Sequence, residues 1–200
     1  IFLSSHTNEE YWIDIKKFKQ KRPPDSFILE CTKELEIIWQ SLIDTIPDLS
    51  LRPQLMRINE ENPDDPDAQN NLFFRPVFQQ YILARLIRLM IDEGGLDINS
   101  DELNNAFKKI NKLPSSLFSA PWRHLLITLN ENGNWVMRQA GNDNAAALSL
   151  ALELALWITE VIEVDAEKEL ELRENLKAFM PGVSKKQFDE LWGEVLEAAK

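Results

Sequence analysis

A chain of 200 residues with 44% hydrophobic content has enough apolar material for a core of its own, in one domain or a domain with an appendage. Its net charge of −11, from 33 acids against 22 bases, excludes a generally basic nucleic-acid clamp, because the chain as a whole repels a phosphate backbone. Cys31, the single cysteine, excludes an intrachain disulfide and points to a reducing, cytoplasmic setting.

The first residues carry neither the basic start nor the apolar core of a secretory signal. Residues 1–24 read as an extended lead-in from a longer chain, with the bases Lys16, Lys17, Lys19, Lys21 and Arg22 ahead of Pro23 and Pro24. Asp25 or Ser26 is the expected cap of a helix whose apolar positions Leu35, Ile38, Leu42 and Ile46 recur every three or four residues, and Pro47 ends it. Within that helix, Cys31 beside Leu29 and Leu35 reads as a buried structural thiol. "SLRPQLMRI" is short and irregular, and "NEENPDDPDAQNN" is acidic without the spaced ligands and central glycine of a calcium loop, hence solvated.

Pro76 suits the first turn of a second helix, in which Phe78, Ile82, Leu86, Leu89 and Met90 form a stripe that ends at Gly94 and Gly95. The proline forces Arg75 into extended backbone at the helix entrance. Arg75, Arg85 and Arg88 are candidates for an anion or nucleic-acid contact, with the helix-start amides as further donors. The alternative is that all three face solvent, with Arg88 paired to Asp92 one turn on.

Asn99 or Ser100 opens a third helix with Leu103, Phe107 and Ile110 inward, and Pro114 stops it. "LPSSLFSAPWRH" is a loop with aromatic anchors. Asn132 and Gly133 then lie between two apolar runs, which predicts a β-hairpin near 125–138. A helix apolar on most sides spans Ala145–Ile162, with caps on offer from Asn142 to Asn144, and closes a helical domain over residues 25–162. Residues 163–200 form an acidic helical pair, one helix with Leu172, Leu176 and Phe179 inward. The other opens with a capping box from Ser184 to Gln187 and turns Phe188, Leu191, Trp192 and Val195 inward. The fold class is therefore mainly α, a bundle of about six helices with one short hairpin.

The six scattered glycines form no phosphate loop, and one cysteine with two distant histidines forms no zinc set, so no catalytic residue, metal or cofactor is assigned. The carboxylates of the last forty residues alternate with Lys168, Arg173 and Lys177 at helical spacing and read as a solvated face. Trp122, Arg123 and His124 are the other functional candidates, since they follow a proline-tryptophan anchor. A half-buried, hydrogen-bonded histidine is the alternative reading of His124. No apolar run reaches the ~20 residues that a membrane helix needs.

Two segments together resemble the DGQHR-domain family: "LFFRPVFQQYILARLIRLMI", like its Phe-Arg-Pro helix, and "LFSAPWRHLLITLNENGNWVMRQAGNDNAAALSLALELAL", like its later strands and leucine-rich helix. The resemblance covers the middle half of the chain. It departs from the family at Phe78, where a glycine is expected, and the Asp-Gly-Gln-His-Arg motif is absent, as expected for a region C-terminal to it. The resemblance implies a bacterial regulator of DNA sulfur modification, or phosphorothioation, in a phage-defence setting. It also implies a non-catalytic helical region that contacts a partner protein, the protein's own preceding domain or a second copy. Nucleic acid would be met only through the longer chain. The other expectations are an unrelated helical protein-interaction module and an enzyme domain built around His124.

Overall fold

The computed structural model describes residues 24–49, 71–98, 101–138 and 144–200. The lead-in to residue 23, the two segments between residues 50 and 70, and the caps expected at Asn99, Ser100 and Asn142 lie outside them. The architecture is mainly α with one two-stranded antiparallel hairpin.

Helix α1 spans Asp25–Thr45, and its cap differs from the expectation. Pro24 occupies that position and its carbonyl accepts the Ile28 N–H at 3.1 Å, which places Asp25 inside the first turn, where the helix dipole favours an anion. Ile46 then turns extended (φ −111°, ψ 101°), as Pro47 requires of the residue before it. Cys31, Ile38, Leu42 and Ile46 are buried, whereas Leu35, expected in the core, is 37% exposed. The side-chain contacts explain this difference. Ser41 Oγ donates to Asn104 and Asn111 Nδ2 donates to the Thr45 carbonyl, so the helix that covers α1 grips its C-terminal end and leaves Leu35 beyond the cover.

Asn71 caps a 3-10 turn, Leu72–Phe74, by accepting the Phe73 N–H on its side chain at 2.9 Å. Three segments then run on without a break and together are α2: Pro76–Phe78, a π-helical turn at Gln79–Leu83, and Ala84–Gly94. The expected stripe holds, with Phe78, Ile82, Leu86 and Met90 buried and Leu89 half-buried. Gly95 closes the helix in the left-handed region (φ 58°), where a side chain would be strained, and donates its N–H to the Ile91 carbonyl. Helix α3, Asp101–Lys108, tightens into a 3-10 turn, Lys109–Lys112, ahead of Pro114, and buries Leu103, Phe107 and Ile110.

Strands β1, Ile127–Leu129, and β2, Trp135–Met137, pair with Ile127 opposite Met137 and Leu129 opposite Trp135. The connection is longer than a two-residue Asn-Gly turn. Asn130 organises it, its side chain accepting the N–H groups of Asn132 (3.0 Å) and Asn134 (2.9 Å), while Gly133 takes φ 77°.

Helix α4, Ala145–Ile158, stops four residues short of the expected Ile162. Glu160 adopts a left-handed conformation (φ 56°), Val161 N–H returns to the Leu156 carbonyl, and Lys109 and Lys112 hold the Glu160 carboxylate. Helices α5, Ala166–Ala178, and α6, Lys185–Ala198, both dock. Leu172, Leu176, Phe188, Leu191, Trp192 and Val195 join one continuous core with α1 to α4, and the Ser184–Gln187 capping box is formed.

Candidate functional site

At the entrance to α2, Arg75 has extended backbone (φ −90°, ψ 121°), as the following proline dictates. Phe73 and Phe78 anchor on either side of it, edge to face at 5.5 Å, and Phe78 meets Trp122 edge to face at 5.6 Å. Arg75 is half-buried between these anchors, and its Nε is buried with no hydrogen-bond partner among the described residues. Burial pushes its pKa down, but the guanidinium keeps its charge. Arg85 and Arg88 lie further along α2 at exposed positions, and Arg88 pairs with Asp92 at 3.0 Å. Arg75 thus occupies a different environment from the two arginines grouped with it on sequence grounds.

The second set of candidates converges on a corner that begins with a cis peptide between Ala120 and Pro121. Trp122 is fully buried, and its indole N–H donates to the Pro114 carbonyl at 2.7 Å. An indole can be buried this completely because its one polar atom is satisfied. The chain then reverses at His124, whose φ of 75° is unusual for a residue with a Cβ. From this turn the His124 carbonyl accepts both Nε (3.3 Å) and Nη2 (3.1 Å) of Arg138, and Arg138 Nη1 reaches Asn144 at 3.2 Å. Arg138 also lies 6.0 Å from the centre of the Phe179 ring, which ties the hairpin to α4 and α5. On the other side, Glu194 of α6 accepts the Ala120 N–H at 3.3 Å.

The His124 ring stands edge to face with Trp135 at 5.1 Å, and Trp135 with Phe118 at 6.1 Å. Burial pushes the His124 pKa below its ordinary value, and the charges of Arg123 and Arg138 push it the same way. The ring is therefore neutral near pH 7. No carboxylate orients it and no nucleophile is hydrogen-bonded to it among the described residues, so the elements of a general-base dyad are missing there. Cys31 lies on α1, buried, and desolvation followed by Glu34 and Glu30 pushes its pKa up, the opposite of a reactive thiolate. No group of His, Cys, Asp and Glu suited to a metal occurs among the described residues. The Arg123 Nε is buried there with no hydrogen-bond partner among the described residues, while the neutral imidazole offers one donor and one acceptor nitrogen.

Trp122, Arg123 and His124 were legible as candidates from the sequence, but Arg138 and Trp135 were not. They reach the corner through the register of the hairpin, which puts Met137 opposite Ile127 and Arg138 N–H on the Leu126 carbonyl. The only sequence signal for Arg138 is a lone base directly after an apolar strand. A second feature lies on α1, where Ile28 (38%), Leu35 (37%) and Trp39 (48%) are exposed at i, i+7 and i+11, on one side of the helix, with Leu29 flanking them at 57%. No helix among the described residues is long and apolar enough to cross a membrane. No family model, curated protein or solved structure matches the chain, so its reading rests on this geometry.

Proposed function

We propose that this chain is a non-catalytic helical region that holds another protein segment on α1. In the setting that the DGQHR-domain resemblance implies, it supports the upstream nucleic-acid-related domain of a cytoplasmic bacterial regulator of DNA phosphorothioation. The observation that carries the binding role is the exposed apolar stripe of Ile28, Leu35 and Trp39, which continues toward the N-terminus of α1 the side that Leu42 and Ile46 bury in the core. A monomer's surface rarely presents aligned large apolar side chains without a partner.

Charge selects the occupant. α1 carries five carboxylates, Asp25, Glu30, Glu34, Glu36 and Asp44, against one base, Lys33. A second acidic copy would be repelled, whereas a basic segment with large apolar side chains would be attracted. Such a segment would belong to a partner protein or to the domain that the resemblance places upstream. Its seating on α1 would fix that partner or domain against the bundle.

Hydrogen exchange on the 200-residue chain tests this. A basic peptide with large apolar side chains is expected to lower exchange in α1 while leaving α4 unchanged, and Trp39→Asp to remove that protection; unchanged exchange in α1 would refute the docking. Light scattering that shows a dimer dissociated by Trp39→Asp would assign the stripe to a second copy instead. The division of labour predicts that this chain alone does not bind duplex DNA tightly, and salt-sensitive, tight binding by it would contradict the proposal.

A further inference from the structure

Helices α5 and α6 leave a cavity of about 300 Å³ between them, at the end where residues 179–184 connect them. Its floor is apolar, with Met180 and Phe188 buried and Val183 half-buried. Three bases line it, Arg173 and Lys177 from α5 and Lys185 from the first turn of α6, against two acids, Glu174 and Asp189. In a chain with 22 bases and 33 acids, this inverts the overall balance and leaves the cavity with an excess of positive charge.

Contacts hold one of the bases in place. The Arg173 guanidinium lies 5.6 Å from the centre of the Phe188 ring and donates from Nη2 to Asp189 at 2.7 Å, so it is held against the floor. Its Nε is buried with no hydrogen-bond partner among the described residues. Arg75 and Arg123 share that property, so the atom alone marks no site; here it belongs to a residue that lines a cavity with two further bases. Lys177 is exposed and its contact with Glu174 is long, at 3.8 Å, and Lys185 makes no ion pair among the described residues. Both ammonium groups can therefore turn toward a ligand.

Charge, floor and size select the ligand. Three bases against two acids suit a monoanion, whereas a dianion would also meet the repulsion of Glu174 and Asp189. The unbranched Met180 adapts its shape to a flexible aliphatic chain better than to a rigid ring. At about 30 Å³ for each water-sized group, the space takes about ten non-hydrogen atoms, the size of a straight-chain carboxylate of about eight carbons.

We propose that the cavity between α5 and α6 binds a medium-chain fatty carboxylate, with its head group on Arg173, Lys177 and Lys185 and its chain on Met180, Val183 and Phe188. The site shares no residue with the docking face on α1. Calorimetry and thermal melting of the full chain at constant ionic strength test it, with octanoate, acetate, octanol and octylamine as probes. Octanoate is expected to bind one per chain and to raise the melting temperature. Acetate, which has the charge without the chain, should bind at least about 100-fold more weakly. Octanol, which has the chain without the charge, should bind about 10-fold more weakly, and octylamine should not bind. Arg173→Gln is expected to weaken octanoate about 10- to 100-fold, the loss of a hydrogen bond to a charged group. Lys177→Gln combined with Lys185→Gln should weaken octanoate about 10-fold and leave octanol unchanged, while Lys186→Gln, an exposed base outside the cavity, should bind as the wild type does. Should Arg173→Gln lower the ligand-free melting temperature through loss of its Asp189 pair, the combined lysine variant decides, because both lysines are exposed. The proposal is overturned if octanoate gives no response, if acetate or octylamine binds as tightly as octanoate, or if the combined lysine variant keeps the affinity of Lys186→Gln.

Discussion

Trp122→Ala removes the side chain on which the second candidate region is built. Trp122 is fully buried, meets Phe78 edge to face at 5.6 Å, and donates to the Pro114 carbonyl at 2.7 Å. Truncation of such a residue costs about 3–5 kcal/mol through lost transfer energy and the cavity left behind. For a chain of this length, each kcal/mol lowers the melting temperature by roughly 2–4 °C, so a fall of about 6–20 °C is expected. Trp122→Phe separates the two contributions. It keeps most of the ring contact with Phe78 but leaves the Pro114 carbonyl without its donor, at about 1–3 kcal/mol. Urea unfolding followed by far-UV circular dichroism measures both variants, and an unchanged m-value shows that the comparison is of stability alone. The reasoning is refuted if Trp122→Ala costs less than about 1 kcal/mol, or if the two variants cost the same.

Three further outcomes are expected. Ser184→Ala breaks the capping box at the start of α6 and should cost about 1 kcal/mol in urea unfolding, whereas Ser184→Asp should restore most of it. Arg88→Ala should change stability by less than about 0.5 kcal/mol by the same measurement, because the pair with Asp92 is exposed and a larger loss would mean that Arg88 has a role beyond it. The folded state disfavours protonated His124, so the unfolded chain binds more protons between the lowered folded pKa and the ordinary unfolded value near 6.5. Stability from this residue is present above that value and is lost as pH falls through it; His124→Asn, which tolerates the left-handed backbone, should flatten this part of the pH–melting profile, and an unaltered profile would refute the assignment.

Much of the fold was legible along the chain because it depends on short-range periodicity. Phe78, Ile82, Leu86 and Met90 mark the buried side of α2, and Leu103, Phe107 and Ile110 that of α3, without reference to any other element. The capping box at Ser184 was equally local, since the hydrogen bonds that define it span three residues. Leu35 shows where this reasoning stops: its phase on α1 is that of a core residue, but the facing helix grips α1 only near Ser41 and Thr45. The end of α4 failed for a similar reason. Glu160 is held by lysines about fifty residues away, and that contact favours a left-handed turn where the apolar pattern alone would continue the helix.

The amino-acid sequence by itself determined the helical class, the hairpin between two apolar runs, and the extended backbone of Arg75, because hydrophobic period and the steric demand of a following proline act within a few residues. Tertiary structure alone decided the pairing of bases with groups distant along the chain, such as Lys109 and Lys112 with Glu160. Arg88 found Asp92 within its own helix, but the joining of Arg138 to His124 waits on strand register, and the burial of the Arg123 Nε without a hydrogen-bond partner among the described residues depends on the elements packed around it. Such contacts act through space between residues distant along the chain, and hence the corner that joins His124, Trp135 and Arg138 became visible only in the folded protein.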